Sequence, residues 1–451
     1  MSPPENLLES EEAKLAAFIE RLLGGRVTSI ARQPRWRKAW FVELQQADKA
    51  MALYVRGDKQ LDAEPYPGLE REANILRLLE AGGVPVPHVH GYCPDPIGIV
   101  MDRVAGERDV SRAASDTERQ RIAEESIAAL AAMHGLDIEP FVAMGITRPK
   151  DAREAILMYL EANQPLYART KRAPEPFIEF ALRWARRNVP ERAVRPSFIH
   201  CDAGQFLFDA GKLRCLYDFE ASHIGDPLAD LAALRLRDPF EPLGAPVDHL
   251  LRRYNEITGT VIDPRALSYH TAVFALTAVM TLAGPLRDPG TALQAEYLVW
   301  DLTTRRGALW AMAECMGTTV RPRPAPQAVA SRNAVVNRVL DQTIRRLTPQ
   351  TPLERHQLDS ALTLSDWLQC IDARGPMLAE EEMGRVAALL GHRPANWLEA
   401  DALLEKLVLQ AGPERDRELF EFFALQLENQ VLLAEPVRQR LEGYALRPVR
   451  L

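Results

Sequence analysis

Apolar and polar residues alternate along most of the chain with the period of a helix or of a strand. Apolar side chains recur at helical spacing in residues 9–24, and the segment ends on Gly-Gly, which predicts an amphipathic helix. Beyond the first helix, the patterning predicts strands at 26–33, 39–46 and 50–57, a helix at 69–83, an extended segment at 83–93 and a strand at 97–106. This order of elements predicts a small α+β lobe over residues 1–104.

The next region, residues 105–316, has a mainly helical pattern with one interruption. Short apolar runs joined by tight turns occupy residues 196–220 and predict β-structure there. The most apolar stretch, residues 271–286, is too short and too rich in Thr and Ala to span a bilayer well. We therefore expect a buried core helix at that stretch and no membrane partner.

A proline-rich joint at residues 317–327 predicts a linker and a domain boundary. Residues 328–451 have helical periodicity with breaks at proline and glycine, which predicts an all-α C-terminal domain of unknown role. This domain could cover the acceptor site, support a homodimer, or dock an enzyme of the same pathway. Its predicted helices are 335–347, 356–371, 381–391, 397–412 and 418–434.

Composition narrows the class of protein. The 451 residues allow two or three domains, and the apolar share of 47% is enough for sizeable cores. The net charge of −7 argues against a nucleic-acid partner. The five cysteines form no Cys-x-x-Cys pair, which predicts reduced thiols. Since the N-terminus also has no signal-peptide pattern, we expect a cytoplasmic location.

The strongest chemical signal lies in residues 197–231. Asp202 follows a short apolar strand, and the hairpin after it delivers Asp218 just past the end of its second strand. We therefore expect the two carboxylates to leave neighbouring strands at the same end of a small sheet. One carboxylate can accept a proton from a hydroxyl group and the other can hold Mg²⁺, which is the division of labour that phosphoryl transfer needs.

This segment resembles the aminoglycoside phosphotransferase and choline kinase-like family of small-molecule kinases. The family pattern is a His-x-Asp catalytic loop, then Asp-Phe/Trp-Glu, then Gly-Asp-Pro-x-x-Asp-Leu-Ala. The matching residues here are His200 with Asp202, then 218–220, then 225–232. The resemblance covers roughly residues 20–310. It implies a bilobal protein-kinase-like fold of the α+β class, with a small N-terminal β-sheet lobe and a mainly helical C-terminal lobe.

The same resemblance implies the activity of a small-molecule kinase. Its cofactors would be ATP, with GTP as an alternative, and Mg²⁺. Asp202 would be the catalytic base that receives the proton of the acceptor hydroxyl. Asp218 would be a metal ligand.

The N-terminal lobe carries the resemblance less specifically. Arg56 stands where the family places its phosphate-contacting cation, and Lys59 is the alternative. Glu72 stands at the position of the helix carboxylate that pairs with this cation. The segment from Met101 to Val104 resembles the strand and hinge that would hold the adenine.

Two departures from the family pattern bear on activity. The family spacing after the catalytic aspartate places Leu207 at the position of the metal-ligand asparagine. Aligning the following strand instead places Gln205 there, with the loop two residues shorter, and its amide oxygen could ligate Mg²⁺. The turn at residues 31–40 has no glycine, so a glycine-rich phosphate lid is absent.

Two functions therefore stay open. The first is an ATP-dependent phosphotransferase that acts on a hydroxyl group of a small-molecule metabolite. The alternative is a catalytically impaired, kinase-like nucleotide-binding or scaffold protein that acts through its C-terminal helices. Protein kinase activity is disfavoured, because no activation-loop-like stretch separates Asp218 from Gly225.

Several polar residues near these motifs have simpler structural roles. We expect His200 to pack and hydrogen-bond within the catalytic loop, and Asp230 to hold loop amides or to cap the following helix. His88 and His90 lie in a proline-rich segment and are not expected to bind a metal. His223 could face the substrate.

Overall fold

Five antiparallel strands form the sheet of the N-terminal lobe, in the order β1-β2-β3-β5-β4. Helix α2 connects β3 to β4, and helix α1 precedes the sheet. The side chain of Ser10 caps α1 by accepting a hydrogen bond from the backbone N–H of Ala13. The elements are α1 (Glu11–Leu23), β1 (Arg26–Arg32), β2 (Ala39–Gln46), β3 (Lys49–Gly57), α2 (Leu69–Ala81), β4 (Val89–Pro94) and β5 (Ile97–Asp102).

This computed structural model describes residues 10–33, 37–47, 49–58, 68–287, 295–434, 437 and 446–451, apart from the side chains of residues 352 and 353. Alternate residues of β2 point inward, so Trp40, Val42 and Leu44 are fully buried. Leu15 and Ile19 of α1 pack against this face. The amphipathic pattern at residues 9–24 therefore fixes the first helix onto the sheet.

The second lobe is mainly helical and contains two small antiparallel sheets. The helices are α3 (Asp116–His134), α4 (Glu139–Ala143), α5 (Ala152–Thr170), α6 (Pro176–Arg187), α7 (Leu228–Arg237), α8 (Val247–Thr258), α9 (Pro264–Arg287) and α10 (Ala295–Cys315). The strands are β6 (Ser197–Ile199), β7 (Phe206–Asp209), β8 (Lys212–Leu216) and β9 (His223–Gly225).

The short strands around the catalytic motifs pair differently from what the sequence predicts. The hairpin β7–β8 forms as expected, and Ala210 and Gly211 in its two-residue turn both have positive φ. Strand β6, however, pairs with β9 and not with β8. The prediction that Asp202 and Asp218 leave neighbouring strands of one sheet is therefore wrong, since local patterning does not encode which strands pair.

Helix α9 contains the apolar stretch 271–286 and forms the centre of the helical core. Its length and composition would allow it to cross a membrane, but 78% of its most apolar window is buried inside the protein. The expectation of a buried core helix is confirmed.

The proline-rich segment 317–327 contains no helix or strand, and the described residues after it form four further α-helices. They are α11 (Ala334–Arg345), α12 (Pro352–Leu390), α13 (Trp397–Gln410) and α14 (Asp416–Leu433). Helix α12 is continuous through Pro376, so the predicted break between 371 and 381 is wrong. An internal proline costs roughly 3 kcal/mol, and the burial of Met383 and Val386 in the core beyond it offsets this cost.

The last two helices share a hydrophobic core with the second lobe. Phe423 of α14 contacts both Phe177 and Phe180 of α6, with ring centroids 5.8 and 5.3 Å apart. Leu404 and Val408 of α13 belong to the same cluster. The proposed division at residues 104, 316 and 327 stays a prediction, while the packing shows α13 and α14 set directly against the second lobe.

Candidate active site

A buried arginine joins three carboxylates between the two lobes. The Nε of Arg56 donates to Glu72 Oε2 at 2.9 Å, and its Nη2 contacts Asp218 and also Glu220 Oε2 at 3.2 Å. Arg37 forms a second ion pair with Glu220. The five side chains sum to one net negative charge, which leaves the group suited to a further cation.

The same cluster fixes the segment that carries Asp218. Glu72 Oε1 accepts a hydrogen bond of 3.1 Å from the backbone N–H of Phe219. One buried carboxylate of α2 thus holds the cation of β3 and the backbone beside the presumed metal ligand.

Burial raises the pKa of Glu72 above its ordinary value, whereas neighbouring charges outweigh burial at Arg56 and Asp218. Burial alone would lower the pKa of Arg56, but the carboxylates of Glu72, Asp218 and Glu220 raise it above its ordinary value. Burial acts in the opposite direction on Asp218, but Arg56 and Arg37 lower the pKa of this carboxyl below its ordinary value. Asp218 is therefore an anion at neutral pH.

A buried carboxylate at the start of α7 holds the backbone of the loop that carries Asp202. Asp230 accepts hydrogen bonds from the backbone N–H groups of His200 and Cys201, at 2.8 and 2.7 Å. The ring of His134 approaches the same carboxylate at 2.9 Å. Burial would raise the pKa of Asp230, but these hydrogen bonds and the neighbouring histidines lower it. The structural role predicted for Asp230 is confirmed.

His200 is fixed within this loop. Its Nε2 donates to the backbone carbonyl of Tyr217 at 2.9 Å, and its Nδ1 accepts from the backbone N–H of Asp202 at 3.2 Å. Both ring nitrogens are occupied, with the proton on Nε2, so the ring packs within the loop as predicted.

Two backbone positions near the carboxylates adopt the left-handed region. Cys201 has φ of 78° and Asp218 has φ of 72°. A non-glycine residue pays a strain energy there, and such residues cluster at functional sites. At these two positions the turns set the directions of Asp202 and Asp218.

The amide group of Gln205 brings the two candidate carboxylates together. Its Nε2 lies 2.8 Å from Asp202 Oδ2 and 3.4 Å from Asp218 Oδ2. All three side chains are partly accessible at the junction of the lobes. Asp202, Gln205 and Asp218 therefore form one polar group beside Arg56 and Glu72.

Sequence reasoning missed a second arginine in this site. Arg237, at the end of α7, forms ion pairs with Asp202 and with Glu241. Gly204, with φ of 101°, makes room for it, because a Cβ there would lie 2.7 Å from Arg237 Cδ. The available signal was the seven-residue spacing from Asp230, which places both side chains on one face of α7.

Arg37 and Glu220 were also missed. Arg37 follows residues 34–36, which lie outside the described residues, as does the alternative cation Lys59. Glu220 was quoted only as part of a family motif. Its contacts with Arg37 and Arg56 make it a member of the charge cluster.

The two hinge residues occupy different environments. Met101 is buried in β5, opposite Tyr54 of β3 and Val89 of β4. Val104 is half-buried and follows the end of β5. The chain next reaches Glu107, whose backbone pairs with that of Phe208 on β7. Val104 therefore lies on the stretch between β5 and this contact, where the chain passes from one lobe to the other.

The other histidines singled out in the sequence have protein partners. His88 contacts Glu80 and His90 contacts Asp102. Within the described ranges no group of three or more His, Cys, Asp and Glu side chains is arranged to hold a metal ion. His223 is buried and stacks on Tyr159 with ring centroids 5.6 Å apart, and burial lowers its pKa to about 4.

Comparisons with known proteins agree with this architecture. A model of the phosphotransferase enzyme family matches residues 29–268, which is more than half of the chain. A protein from Ralstonia eutropha JMP134, provisionally described as an aminoglycoside phosphotransferase, superposes with a TM-score of 0.52 at 19% identity. The match covers 67% of this chain and 98% of that one, and confirms the predicted bilobal α+β fold, to which C-terminal helices are added.

Two other solved structures are more distant. A thermostable aminoglycoside phosphotransferase mutant solved with ADP and hygromycin B has a TM-score of 0.46 at 16% identity, covering 67% of this chain and 97% of that one. A macrolide 2′-phosphotransferase from Brachybacterium faecium has a TM-score of 0.44 at 16% identity, covering 65% and 96%. A search of curated proteins finds no match.

Proposed function

The chain belongs to the phosphotransferase enzyme family, and from this premise we propose that it is an ATP-dependent kinase for a hydroxyl group of a small-molecule metabolite. The observation that carries the proposal is the meeting of Asp202 and Asp218 at the Gln205 amide, beside the Arg56–Glu72 ion pair. A base, a candidate metal ligand and a phosphate-neutralising cation are the parts that phosphoryl transfer requires.

Asp202 is the proposed catalytic base. The acceptor hydroxyl oxygen forms a bond to the γ-phosphorus, its proton passes to the Asp202 carboxylate, and the bond from the γ-phosphorus to the bridging oxygen breaks. ADP leaves with that electron pair. Hydrogen bonds from Gln205 and Arg237 hold the carboxylate in one orientation. The base is therefore oriented before the acceptor binds, which lowers the entropic part of the barrier.

The residues present fit a Mg²⁺ ion. Asp218 offers a carboxylate oxygen, and Gln205 would offer its amide oxygen once the amide turns over, since its Nε2 now faces both carboxylates. Carboxylate and amide oxygens are the hard donors that Mg²⁺ prefers. The adjoining cluster of Arg37, Arg56, Glu72, Asp218 and Glu220 has one net negative charge, which favours a cation. Bound there by Asp218 and Gln205, the ion would neutralise charge on the β- and γ-phosphate oxygens.

Arg56 is the proposed phosphate-contacting cation of the N-terminal lobe. Glu72 fixes its Nε, so the guanidinium is oriented before nucleotide binds. Met101 and Val104 line the stretch where the adenine would bind. GTP is the alternative nucleotide.

The first experiment measures thermal unfolding with ATP or GTP, with and without Mg²⁺. Ligand at ~100 times its dissociation constant should stabilise the fold by roughly 2.7 kcal/mol. Asp218→Ala should lose the Mg²⁺-dependent part of the shift. Asp202→Asn should keep it, because Asp202 acts on the acceptor and not on the nucleotide.

Turnover then separates the two candidate functions. A screen of hydroxylated metabolites, read as ADP release, should find an acceptor for the wild type and none for Asp202→Asn. A Mg²⁺-dependent shift without turnover on any acceptor would favour the scaffold alternative. No shift with either nucleotide would overturn the kinase proposal.

A further inference from the structure

The last described segment of the chain lies against the helical lobe without forming a helix or a strand. We call residues 446–451 the strap. Leu446 is buried in the core that includes α9, α10, α13 and α14, and Val449 packs against the core that includes α7 and α8. A segment without secondary structure stays ordered only where contacts tie it down. The strap is tied to two hydrophobic cores at once.

Two arginines of the helical lobe hold the backbone of the strap. Arg235 of α7 donates from Nη2 to the carbonyl oxygen of Arg447 at 2.8 Å. Arg252 of α8 donates from Nη1 to the carbonyl oxygen of Arg450 at 3.0 Å. Hydrogen bonds from a charged donor are stronger than those between neutral groups. Since Arg235 is only 3% exposed, the strap acts on α7 through a buried cation.

The same guanidinium also ties α7 to two neighbouring helices. Arg235 Nη1 donates to Ser268 Oγ of α9 at 3.2 Å, and Nη2 donates to Glu314 Oε1 of α10 at 2.7 Å. Ser268 donates in turn to the other carboxylate oxygen of Glu314 at 2.5 Å. The strap carbonyl is therefore one acceptor of a network that joins three helices. Removing one acceptor from such a network leaves a charged donor partly unpaired.

Helix α7 presents this network and the supports of the candidate base on different faces. Arg235 follows Asp230 by five residues and precedes Arg237 by two. Its side chain therefore leaves the helix at roughly 140° from that of Asp230 and roughly 160° from that of Arg237. Asp230 and Arg237 face the loop that carries Asp202. Helix α7 is thus held between that loop on one side and the strap, α9 and α10 on the other.

We infer that the strap positions the candidate base by fixing α7 against the loop that carries Asp202. When the strap is loosened, the far side of α7 is less firmly held, and Asp230 and Arg237 hold the loop less firmly in turn. The strap residues are positioning residues, because their described contacts are with the helical cores and not with Asp202. The effect on turnover rests on the proposed function, whereas the effect on the mobility of the loop does not.

Hydrogen–deuterium exchange of the full chain, read by mass spectrometry, tests this inference without an acceptor. Leu446→Ala combined with Val449→Ala removes both apolar anchors of the strap. The backbone amides of residues 200 and 201 donate to Asp230. In this variant they should exchange about 10-fold faster than in the wild type, because α7 holds them less firmly.

The backbone amide of Phe219 is the internal reference. It donates to Glu72 of α2, a contact in which α7 takes no part, so its exchange should keep the wild-type rate. Two control variants accompany it. Leu451→Ala removes an apolar side chain of the strap that is 45% exposed, and it should leave all three rates unchanged. Leu446→Met combined with Val449→Ile keeps both anchors apolar and should stay close to the wild-type rates.

Steady-state kinetics measure the consequence for catalysis. The Leu446→Ala/Val449→Ala variant should have a kcat about 10-fold lower than the wild type, because the Asp202 carboxylate is less well oriented. Its KM for ATP should be unchanged, because the described contacts of the strap do not reach the cluster around Arg56. For the same reason the Mg²⁺-dependent thermal shift should persist.

Circular dichroism checks that each variant is folded, and Val449→Ala alone gives the same comparison if the double variant does not fold. Unchanged exchange at residues 200 and 201 in a folded variant would overturn the inference. An equal rise at Phe219, or an equal rise in Leu451→Ala, would overturn it too, since either would show a general loosening. Faster exchange at 200 and 201 with a wild-type kcat would overturn the positioning role. A wild type without a nucleotide shift would overturn the proposed function alone, because the exchange experiment needs no nucleotide.

Discussion

Arg237 forms an ion pair with Asp202 across 35 residues of sequence, and its side chain is only 13% exposed. The guanidinium reaches the candidate base from α7, through the space that Gly204 leaves open. It also contacts Glu241, one turn further along the chain. The carboxylate of Asp202, the candidate base, is thus held by the guanidinium of Arg237, which lies outside the loop that carries Asp202.

We expect Arg237→Gln to lower kcat by about 10- to 100-fold, because Asp202 loses the contact that fixes its carboxylate. The KM for ATP should change little, since the described contacts of Arg237 are with Asp202 and Glu241 and not with the Arg56 cluster. Arg237→Lys, which keeps the charge, should recover part of the rate. Steady-state kinetics with the acceptor found by screening provide the measurement.

Glu241→Gln is the control for that series. Glu241 contacts Arg237 but has no described contact with Asp202. It should therefore have a smaller effect on kcat. An unchanged kcat in Arg237→Gln, or an equal fall in Glu241→Gln, would contradict the positioning role of Arg237.

A pair of glycine substitutions measures the space that Arg237 needs. Gly204→Ala places a methyl group 2.7 Å from Arg237 Cδ at a position with φ of 101°. Gly145→Ala meets nearly the same backbone strain, with φ of 98°, but its Cβ has no atom within 4 Å. We expect both to lose ~1–2 kcal/mol of unfolding free energy, and Gly204→Ala to lose more and to reduce kcat. Urea unfolding measures the stability of the two variants, and steady-state kinetics measure their kcat. Equal losses of stability and equal kcat in the two variants would count against the contact between Gly204 and Arg237.

Gln205→Ala tests the amide as a metal ligand. The proposed amide ligand would then be missing beside Asp218, so the Mg²⁺ concentration that gives half of the nucleotide-dependent thermal shift should rise about 10-fold or more. Gln205→Glu keeps an oxygen at the same distance from the backbone and should recover tight Mg²⁺ dependence. If Gln205→Ala needed no more Mg²⁺ than the wild type, the amide would have no part in metal binding.

The buried ring of His223 gives the fold a dependence on pH. Burial lowers its pKa from 6.5 to about 4, while the carbonyl of Ala221 and the charge of Asp230 only partly oppose this shift. Between these values the unfolded chain binds a proton that the folded chain does not. The free energy of unfolding should therefore fall as the pH drops from about 6.5 to about 4, by ~3 kcal/mol in total.

His223→Asn should remove this part of the pH dependence, and its amide can still donate to the Ala221 carbonyl. Urea unfolding of the wild type and of the variant at pH 7 and pH 5 gives, for each protein, the change in the free energy of unfolding with pH. Other groups titrate in this range in both proteins, so the effect of His223 is the difference between these two changes. Equal changes would show that His223 does not titrate as its burial indicates.

Much of the fold follows from local patterns in the sequence. Strand β2 alternates from Trp40 onward because one face packs on α1, and α3 begins at the cap that Ser115 provides for Glu118. The hairpin turn at Ala210 and Gly211 is likewise encoded by neighbouring residues. Each of these signals involves residues within a few positions of one another.

The errors concern contacts between distant segments. Strand β6 pairs with β9 and not with the hairpin, and α12 continues through Pro376 because the core beyond it is buried. Within the candidate site, Asp202, Asp218, Arg56 and Glu72 could be named from motifs. The spacing of Arg237 from Asp230 places it on the same face of α7, but its contact with Asp202 depends on how α7 packs beside a loop 35 residues earlier.

Asp230 and Arg237 lie two turns apart on α7 and hold three consecutive residues of the loop that carries the candidate base. One fastens the backbone at His200 and Cys201, and the other fastens the carboxylate of Asp202. One helix thus fixes both the backbone before the candidate base and the carboxylate itself. Any displacement of α7 would therefore move the base and its backbone support together.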